Sequence, residues 1–214
     1  PVTGFSVPAP RDDMLLQAGR DAFAPIQPQK MAVAVSGGGD SMALLHVLAR
    51  LAPESGFSLD AVTVDHGLRA AAADEAAFVS DACAALGVPH HVLRWNDWNG
   101  AGNVMAAARD ARYRLIADWA MSHGITGVAL GHTQDDNAEN FLIRLSRKAG
   151  PDGLAAMRPR FDRYGMAWAR PFAQQSRADL RDYLQRHDVA WVEDPTNEDE
   201  TFDRVRARNA LPTL

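Results

Sequence analysis

The sequence has a single cysteine, Cys83, and this excludes an internal disulfide and a metal site built from cysteines alone. It also has no apolar run near the ~20 residues that a membrane-spanning helix requires, and no secretory signal pattern. Both absences predict a protein of the reducing cytoplasm without a membrane partner. The 214 residues suffice for one large α/β domain.

A glycine-rich segment at residues 36–41, with the sequence SGGGDS, lacks features of two common phosphate-binding motifs. No lysine follows Gly39, which excludes a Walker A loop. Met42 stands where a dinucleotide-binding fingerprint has its third glycine, which excludes that motif as well.

The same segment still has the chemistry of a phosphate-binding turn. It follows a strand pattern and precedes an apolar helical pattern, so backbone N–H groups and a helix N-terminus point into it. A carboxylate beside a polyphosphate is repulsive unless a cation bridges them, so Asp40 also predicts Mg²⁺. The alternative is a tight turn between two core elements. The residues predicted to bind phosphate are Ser36, Gly37, Gly38, Gly39, Asp40 and Ser41.

Strand and helix patterns alternate along residues 31–146. This alternation predicts an α/β fold with a parallel sheet covered by helices on both faces. Ligands of such sheets bind at the carboxyl ends of the strands, where the polar clusters of this sequence also lie. Strands are predicted at 31–35, 59–64, 90–93 and 126–130, and helices at 41–52, 73–86, 104–123 and 135–146.

Three regions differ in their patterns. Residues 1–30 are rich in proline with one helical patch, and we expect a leader that packs loosely. Residues 31–150 are predicted to form the catalytic core. Residues 151–214 are predicted to form a small C-terminal extension, with a hairpin at 161–169, a helix that follows Ser176, and a basic tail.

A second polar cluster, GHTQDDNAE, runs from Gly131 to Glu139. Asp136 and Glu139 are three residues apart, and Asp135 and Glu139 four, so the carboxylates share one helix face. Acidic residues in a first helical turn also complement the helix dipole, and this explains Asp135 or Asp136. It explains Glu139 poorly, because apolar residues continue the helix. The cluster therefore favours a metal ion or a substrate that carries an ammonium group.

Arg109 and Arg112 lie three residues apart on the predicted helix 104–123. An arginine that reaches the sheet edge would hold phosphates as charge shifts toward a leaving pyrophosphate. A solvent-facing basic stripe is the alternative. His66 follows a predicted strand, and it is compatible with a base, a nucleotide contact or a structural role.

The protein carries a net charge of −5, but its basic residues are unevenly distributed. Residues 141–177 contain eight basic and two acidic side chains and so carry +6, whereas the rest of the chain carries −11. Such a block is typical of a local contact surface for a polyanion. A solvated basic face is the alternative.

The segments SGGGDS, DHGLR, ARDARY, GHTQDDNAEN and EDPTN with DRVRAR, in this order, resemble the PP-loop ATP pyrophosphatases. Within them the chain is similar to the tRNA(Ile)-lysidine synthetases over residues 31–214. The resemblance implies an adenine nucleotide alpha hydrolase-like fold and an ATP-dependent ligase. This ligase adenylates the C2 oxygen of the wobble cytidine in a CAU-anticodon isoleucine tRNA and releases pyrophosphate. An amino group of L-lysine then attacks C2, AMP leaves, and lysidine results.

The resemblance also implies roles for individual residues. The SGGGDS residues, with His66 and Gly131, would hold ATP, and Asp40 and Asp135 would bind Mg²⁺. Asp136 and Glu139 would hold or deprotonate the lysine ammonium, and Arg109 or Arg112 would steady the phosphates or the adenylate. A homodimer is compatible with it. The implied tRNA-binding residues are Arg144, Arg147, Lys148, Arg204, Arg206 and Arg208.

Some positions depart from the family pattern, and two other functions are open. Thr133 replaces a second histidine, Asn140 replaces threonine, and Lys148 replaces glycine. Another PP-loop enzyme, for tRNA thiolation or amidation, would need paired or persulfide cysteines or an ammonia source. A nucleotide-binding module without chemistry would not need the carboxylates at 40, 136 and 139.

Overall fold

Six strands form one sheet in the computed structural model, which describes residues 10–67, 72–98, 100–193 and 203–211. The strands are β1 (Lys30–Ala34), β2 (Ser58–Asp65), β3 (His90–Arg94), β4 (Gly127–Leu130), β5 (Arg160–Arg163) and β6 (Met166–Ala169). Their spatial order is β3-β2-β1-β4-β6-β5. Every neighbouring pair is parallel except β5 and β6, which form the predicted hairpin.

Helices cover both faces of this sheet. Side chains alternate between the faces of a strand, so Met31 and Val33 of β1 enter one apolar core and Ala32 enters another. The helices are α1 (Pro10–Phe23), α2 (Gly39–Ser55), α3 (Ala72–Leu86), α4 (Val104–Ser122), α5 (Gln134–Ser146), α6 (Pro151–Leu154), α7 (Arg177–Arg186) and α8 (Asp203–Ala210). The first core contains residues of α1, α2, α3 and α7, and the second contains residues of α4. The predicted fold class is therefore confirmed.

The helix boundaries follow local signals, with two helices that the sequence did not predict. α5 and α7 each begin with a capping box, Thr133 with Asp136 and Ser176 with Asp179. The unpredicted helices are α6, which is a single turn, and α8, which packs against α5. No helix in the described ranges is both long enough and apolar enough to cross a membrane.

The predicted leader, residues 1–30, does not pack loosely where the structure describes it. A Cβ on Gly19 would lie 2.6 Å from Leu51 Cδ1, so α1 lies very close to α2. The expectation is wrong because α1 has few apolar residues, and their burial depends on a partner helix distant in sequence. Residues 1–9 lie outside the described part. The apolar residues that α1 buries are Leu15, Leu16 and Phe23.

The C-terminal extension belongs to the same sheet as the core. β6 pairs in parallel with β4, and β5 adds the outer antiparallel strand. The hairpin therefore places the carboxyl end of β6, at Arg170, beside the carboxyl end of β4. The division of the chain at residue 150 stays a prediction.

A buried ion network joins α1, α2 and α7. Asp12 is 1% exposed, and its Oδ2 lies 3.2 Å from Arg50 Nη1 and 2.6 Å from His187 Nε2. Its Oδ1 accepts a hydrogen bond from Arg186 Nη2 at 2.9 Å. Burial raises the pKa of Asp12, but hydrogen bonds from Arg186, His187 and Arg50 leave it below the ordinary value. The carboxylate therefore stabilises the fold above its unfolded-state pKa of about 3.9, and this contribution is lost as the pH falls through the lower folded pKa.

Replacing Asp12 with asparagine will destabilise the protein at pH 7, because Arg50 and Arg186 lose the carboxylate between them. The expected loss in the free energy of unfolding is about 3–5 kcal/mol, measured by urea denaturation. Asp13→Asn, at an exposed position of the same helix, is the matched control and will change it by less than about 0.5 kcal/mol. Similar losses in the two variants would contradict the role assigned to the network.

Candidate active site

The segment between β1 and α2 forms an open turn at the carboxyl edge of the sheet. α2 begins at Gly39, and its N-cap residue, Gly38, has no side chain that could accept a hydrogen bond from the first turn. Gly37 adopts φ +89°, a conformation that favours glycine. Because no side chain in the described residues caps α2, its first N–H groups and its dipole provide a binding site for an anion.

Two serines brace this turn. Ser41 Oγ donates to Gly38 O at 2.9 Å and accepts from Ser36 N at 3.2 Å. Ser41 is buried, so its hydroxyl shapes the turn. Ser36 is exposed, and its hydroxyl is accessible to a ligand.

Gly131 directly follows β4 and lies against the turn. A Cβ at this position would lie 3.0 Å from the carbonyl carbon and oxygen of Asp40 and 3.0 Å from Ser41 Cα. These are backbone atoms, which cannot move aside as a flexible side chain can. Glycine is thus required for the second polar cluster to lie beside the first, as the sequence predicted.

Carboxylates from α2 and α5 surround the guanidinium of Arg177. Its Nε lies 3.3 Å from Asp40 Oδ2, and its Nη1 lies 3.1 Å from Glu139 Oε1. Its Nη2 lies 3.7 Å from Asp136 Oδ1, and its backbone N donates to Asp135 Oδ2 at 2.7 Å. The structure therefore brings three of the predicted acidic residues together around one cation at the start of α7, and the fourth, Asp135, binds the backbone N–H of the same residue.

Asp136 has a structural role as well as a place in this cluster. Its Oδ2 accepts hydrogen bonds from Thr133 N at 2.8 Å and from Thr133 Oγ1 at 3.1 Å, which caps α5. The helix-end alternative is thus partly correct for this residue. It also gives Thr133 a function at a position where the family pattern has histidine.

Glu139 is fully buried, and only one of its two oxygens is satisfied. Its Oε1 accepts from Arg177 Nη1 at 3.1 Å and from Arg208 Nε at 2.9 Å. Its Oε2 has no hydrogen-bond partner among the described residues. A buried carboxylate oxygen without a donor costs free energy, so this atom marks a position where a ligand N–H group would bind favourably.

The charge state of Asp40 is sensitive to this environment. Burial raises the pKa of Asp40, Arg177 opposes the shift, and Asp136 adds to it, so the pKa stays above its ordinary value. A further cation at this position would relieve the penalty. Asp40 therefore fits Mg²⁺, which typically takes one or two carboxylates together with substrate phosphates. No three His, Cys, Asp or Glu side chains in the described ranges form a complete metal site.

Basic side chains form the opposite wall of the site. Burial lowers the pKa of His132 to about 3, and Arg170, Arg112 and Arg109 lower it as well, so the imidazole is neutral at pH 7. His66 lies at the end of β2, and its pKa is lowered by burial and by Arg112. Among the described residues, His66 Nδ1 and Arg112 Nε are buried without hydrogen-bond partners. The phosphate contact of Arg109 or Arg112 and the ATP contact of His66 stay predictions.

Two residues of the site, Arg170 and Arg177, were missed as functional residues by the sequence analysis. Arg177 was included only in the basic block at residues 141–177, which is called the basic segment below. Its contacts depend on where α7 packs. Arg170, which is 7% exposed, donates from Nε to His132 Nδ1 at 3.2 Å. Arg170 follows β6, so the rule that ligands bind at the carboxyl ends of parallel strands would have found it, had β6 been placed beside β4.

The predicted tRNA-binding residues differ in their surroundings. Arg144 Nη1 donates to Gly153 O at 3.0 Å and to Ala155 O at 3.1 Å. Arg147 pairs with Asp203 at 2.5 Å, and Arg206 pairs with the same carboxylate. Lys148 is exposed, and Arg204 adds to the charge around Arg112.

Arg208 contacts the candidate site from α8. Its guanidinium donates to the buried Glu139, because α8 packs on α5 and turns this side chain inward, and its predicted contact with tRNA stays a prediction. The family-like residues Leu68 and Arg69, and the segment 194–197, lie outside the described residues.

Replacing Gly131 with alanine will weaken ATP binding by roughly tenfold or more, because a Cβ at 3.0 Å from the backbone of Asp40 displaces the turn. Isothermal titration with MgATP measures the effect. Gly150→Ala is the matched control, since a Cβ there meets nothing within 4 Å. Unchanged affinity in Gly131→Ala would mean that the turn does not bind ATP in this conformation.

Comparison with known proteins places this site in a family. The PP-loop domain family matches residues 14–214. The tRNA(Ile)-lysidine synthase of Ruegeria pomeroyi is 50% identical over 195 residues, which cover 91% of this chain and 46% of that protein. The tRNA(Ile)-lysidine synthase of Rhodopseudomonas palustris is 45% identical over 184 residues, which cover 85% of this chain and 53% of that protein. This chain thus spans about half the length of the curated relatives it matches.

A solved structure supports the fold. The U34-tRNA thiolase NcsA from Methanococcus maripaludis matches with a TM-score of 0.73 and 14% identity, over 94% of this chain and 78% of that chain. At this identity the likeness shows the fold alone. With the uncapped turn at the start of α2 and a match that extends from residue 14 to residue 214, the chain belongs to the PP-loop domain family.

Proposed function

We propose that this chain is an ATP-dependent tRNA(Ile)-lysidine synthetase. The observation that carries the proposal is the position of Glu139, a buried carboxylate with an unsatisfied oxygen, in contact with the same Arg177 as Asp40 of the phosphate-binding turn. A reaction that joins an amine to a nucleotide-activated carbon needs both features in one site. Relatives that are 45–50% identical and named tRNA(Ile)-lysidine synthase give the reaction its substrates.

In the first step, the C2 oxygen of the wobble cytidine attacks the α-phosphorus of ATP, and the bond to pyrophosphate breaks. The turn at residues 36–41 binds the phosphates through its N–H groups and the helix dipole. Negative charge grows on the leaving pyrophosphate, and Arg109 and Arg112 stabilise it from the opposite wall. Asp40 would hold Mg²⁺, which supplies charge neutralisation when bound, and Asp135 stays a predicted second ligand.

In the second step, an amino group of lysine attacks C2, and AMP leaves as the C2–O bond breaks. Lysine reaches the site as an ammonium ion and must lose a proton before it can attack. Glu139 and Asp136 provide negative charge for the ammonium, and the free Oε2 of Glu139 is the atom proposed to accept its proton. Arg177 and Arg208 hold the positions of these charges in the absence of lysine.

The substrate tRNA carries the CAU anticodon, and the reaction takes place in the cytoplasm. The basic segment, together with Arg204 and Arg206, is proposed to contact the tRNA backbone. A homodimer stays a prediction.

A thiolation reaction is disfavoured by the only thiol in the sequence. Cys83 is fully buried in α3, and burial raises its pKa to about 11, so it is not a nucleophile at pH 7. A binding module without chemistry does not account for a buried Glu139 whose Oε2 lacks a hydrogen-bond donor in the described residues.

The direct test is incorporation of labelled lysine into a CAU-anticodon isoleucine tRNA with ATP and Mg²⁺. A methionine tRNA with the same anticodon is the control substrate, and the longer synthase of Ruegeria pomeroyi verifies the tRNA preparation. We expect incorporation into the isoleucine tRNA only. Absence of both incorporation and tRNA-dependent exchange between ATP and pyrophosphate, while the longer enzyme is active, would contradict the proposal.

Replacing Glu139 with glutamine will lower lysine incorporation by about 100-fold or more, because the group that accepts the ammonium proton is lost. The exchange of pyrophosphate into ATP in the presence of tRNA will remain, since adenylation does not use this carboxylate. Glu54→Gln is the matched control, because Glu54 is exposed and its one ion pair among the described residues is with the exposed Arg20. Equal loss of exchange and incorporation would place Glu139 in the first step or in the structure.

A further inference from the structure

A cleft lined by arginines lies next to the candidate active site, between α5, α6 and the hairpin. It encloses about 330 Å³, and only one acidic residue, Asp152, lines it. We refer to it as the arginine cleft. Its basic lining residues are Arg109, Arg144, Arg158 and Arg170.

We propose that the arginine cleft binds a backbone phosphate of single-stranded RNA next to the nucleotide that is modified. The inference rests on the proposed RNA substrate. Within the basic segment at residues 141–177, it assigns one phosphate-binding subsite, which includes Arg158 and Arg170.

The first argument is uncompensated charge. In the described ranges, neither Arg109 nor Arg158 has a carboxylate partner or a side-chain hydrogen bond. Arg170 is almost fully buried and bonds to neutral groups, which are His132 Nδ1 at 3.2 Å, the carbonyl oxygen of Arg158 at 2.6 Å and the Tyr113 side chain. Asp136 interacts with it electrostatically but forms no ion pair with it in the described residues. Buried positive charge without a directly paired carboxylate is costly, and an oxyanion that accepts several N–H bonds would offset this cost.

The second argument is rigidity. Arg144 donates to the carbonyl oxygens of Gly153 and Ala155, so one wall of the cleft is held in place by hydrogen bonds to α6 and the residue after it. The Arg170 guanidinium lies 4.1 Å from the centre of the Phe161 ring, which forms the floor. A preorganised set of donors binds an anion with less loss of conformational entropy.

The third argument distinguishes an RNA phosphate from the phosphates of ATP. None of the residues 36–41 of the phosphate-binding turn lines the arginine cleft. Arg144 and Arg158 are exposed, so a macromolecular ligand can reach them. The cleft therefore fits a phosphodiester that extends away from the site.

The floor of the cleft also indicates what it does not read. One face of Phe161 contacts Arg170, and its ring is nearly parallel to Trp168, with an interplanar angle of 15° and centroids 6.1 Å apart. Phe161 is the only aromatic side chain among the lining residues of the cleft, and its ring is already in contact with a cation and an aromatic neighbour. The arginine cleft is thus expected to position the strand without sequence preference.

The test measures RNA binding by the full chain with Arg158→Ala and Arg158→Glu. Arg158 is exposed, and it serves the fold through its carbonyl oxygen, which both variants retain. The probes are a CAU anticodon stem–loop, an unrelated single-stranded RNA of equal length, and MgATP. Arg114→Ala is the matched control, since it removes an exposed arginine that pairs with Asp97 and does not line the cleft.

We expect Arg158→Ala to weaken binding of both RNAs by roughly 3- to 10-fold and to reduce the slope of log K against log salt by about 0.7. Arg158→Glu will weaken binding further, and neither variant will change the affinity for MgATP. RNA affinity and salt slope equal to those of Arg114→Ala would overturn the proposal. A parallel loss of MgATP affinity would also overturn it, because the cleft would then bind the nucleotide.

Lysine incorporation separates this inference from the proposed function. If the unmodified protein makes lysidine and Arg158→Ala has an unchanged KM for tRNA, the proposal that the arginine cleft binds RNA is wrong and the proposed function stands. If the unmodified protein makes no lysidine but RNA binding depends on Arg158, the function is wrong and the RNA subsite stands.

Discussion

The contacts of Arg177 with Asp40, Asp136 and Glu139 allow three carboxylates from two helices to share one buried corner. Without this guanidinium, the repulsion between them would favour protonation or separation of α2 and α5. The phosphate-binding turn, the capped start of α5 and the start of α7 all meet at this cation. The arrangement of the site therefore depends on where α7 packs.

The packing of α7 is fixed at both ends by opposite charges. At its start, the cation of Arg177 lies among carboxylates, and at its end the carboxylate Asp12 lies among the cations Arg186 and Arg50. α2 takes part in both clusters, through Asp40 in its first turn and Arg50 further along. Helix α1, in the segment expected to be a loose leader, thus helps to position the candidate active site. It does so by binding α2 and α7 at residues distant from their starts, Arg50 and Arg186.

The sequence predicted what depends on local patterns. Apolar runs predicted the first four strands, and Ser176 with Asp179 predicted the start of α7. It did not predict α8, whose residues are mostly polar and whose position depends on contacts with α5. The roles of Arg170 and Arg177 were also beyond it, because both depend on pairings between residues about 40 or more positions apart. The three carboxylates of α5 were found from helical spacing and Asp40 from its place in the glycine-rich turn, and both are local properties.

The choice of arginine for the basic wall has a chemical consequence. Lys30 and Lys148 are the only lysines in the sequence; Lys30 pairs with Asp60, and Lys148 is exposed after α5. A guanidinium remains protonated in proteins and has no lone pair to offer an electrophile. In the proposed reaction an activated carbon is open to attack by an amine, so a lysine side chain in the wall would compete with the substrate and join the protein covalently to the tRNA. A wall of arginines supplies the same positive charge without self-modification.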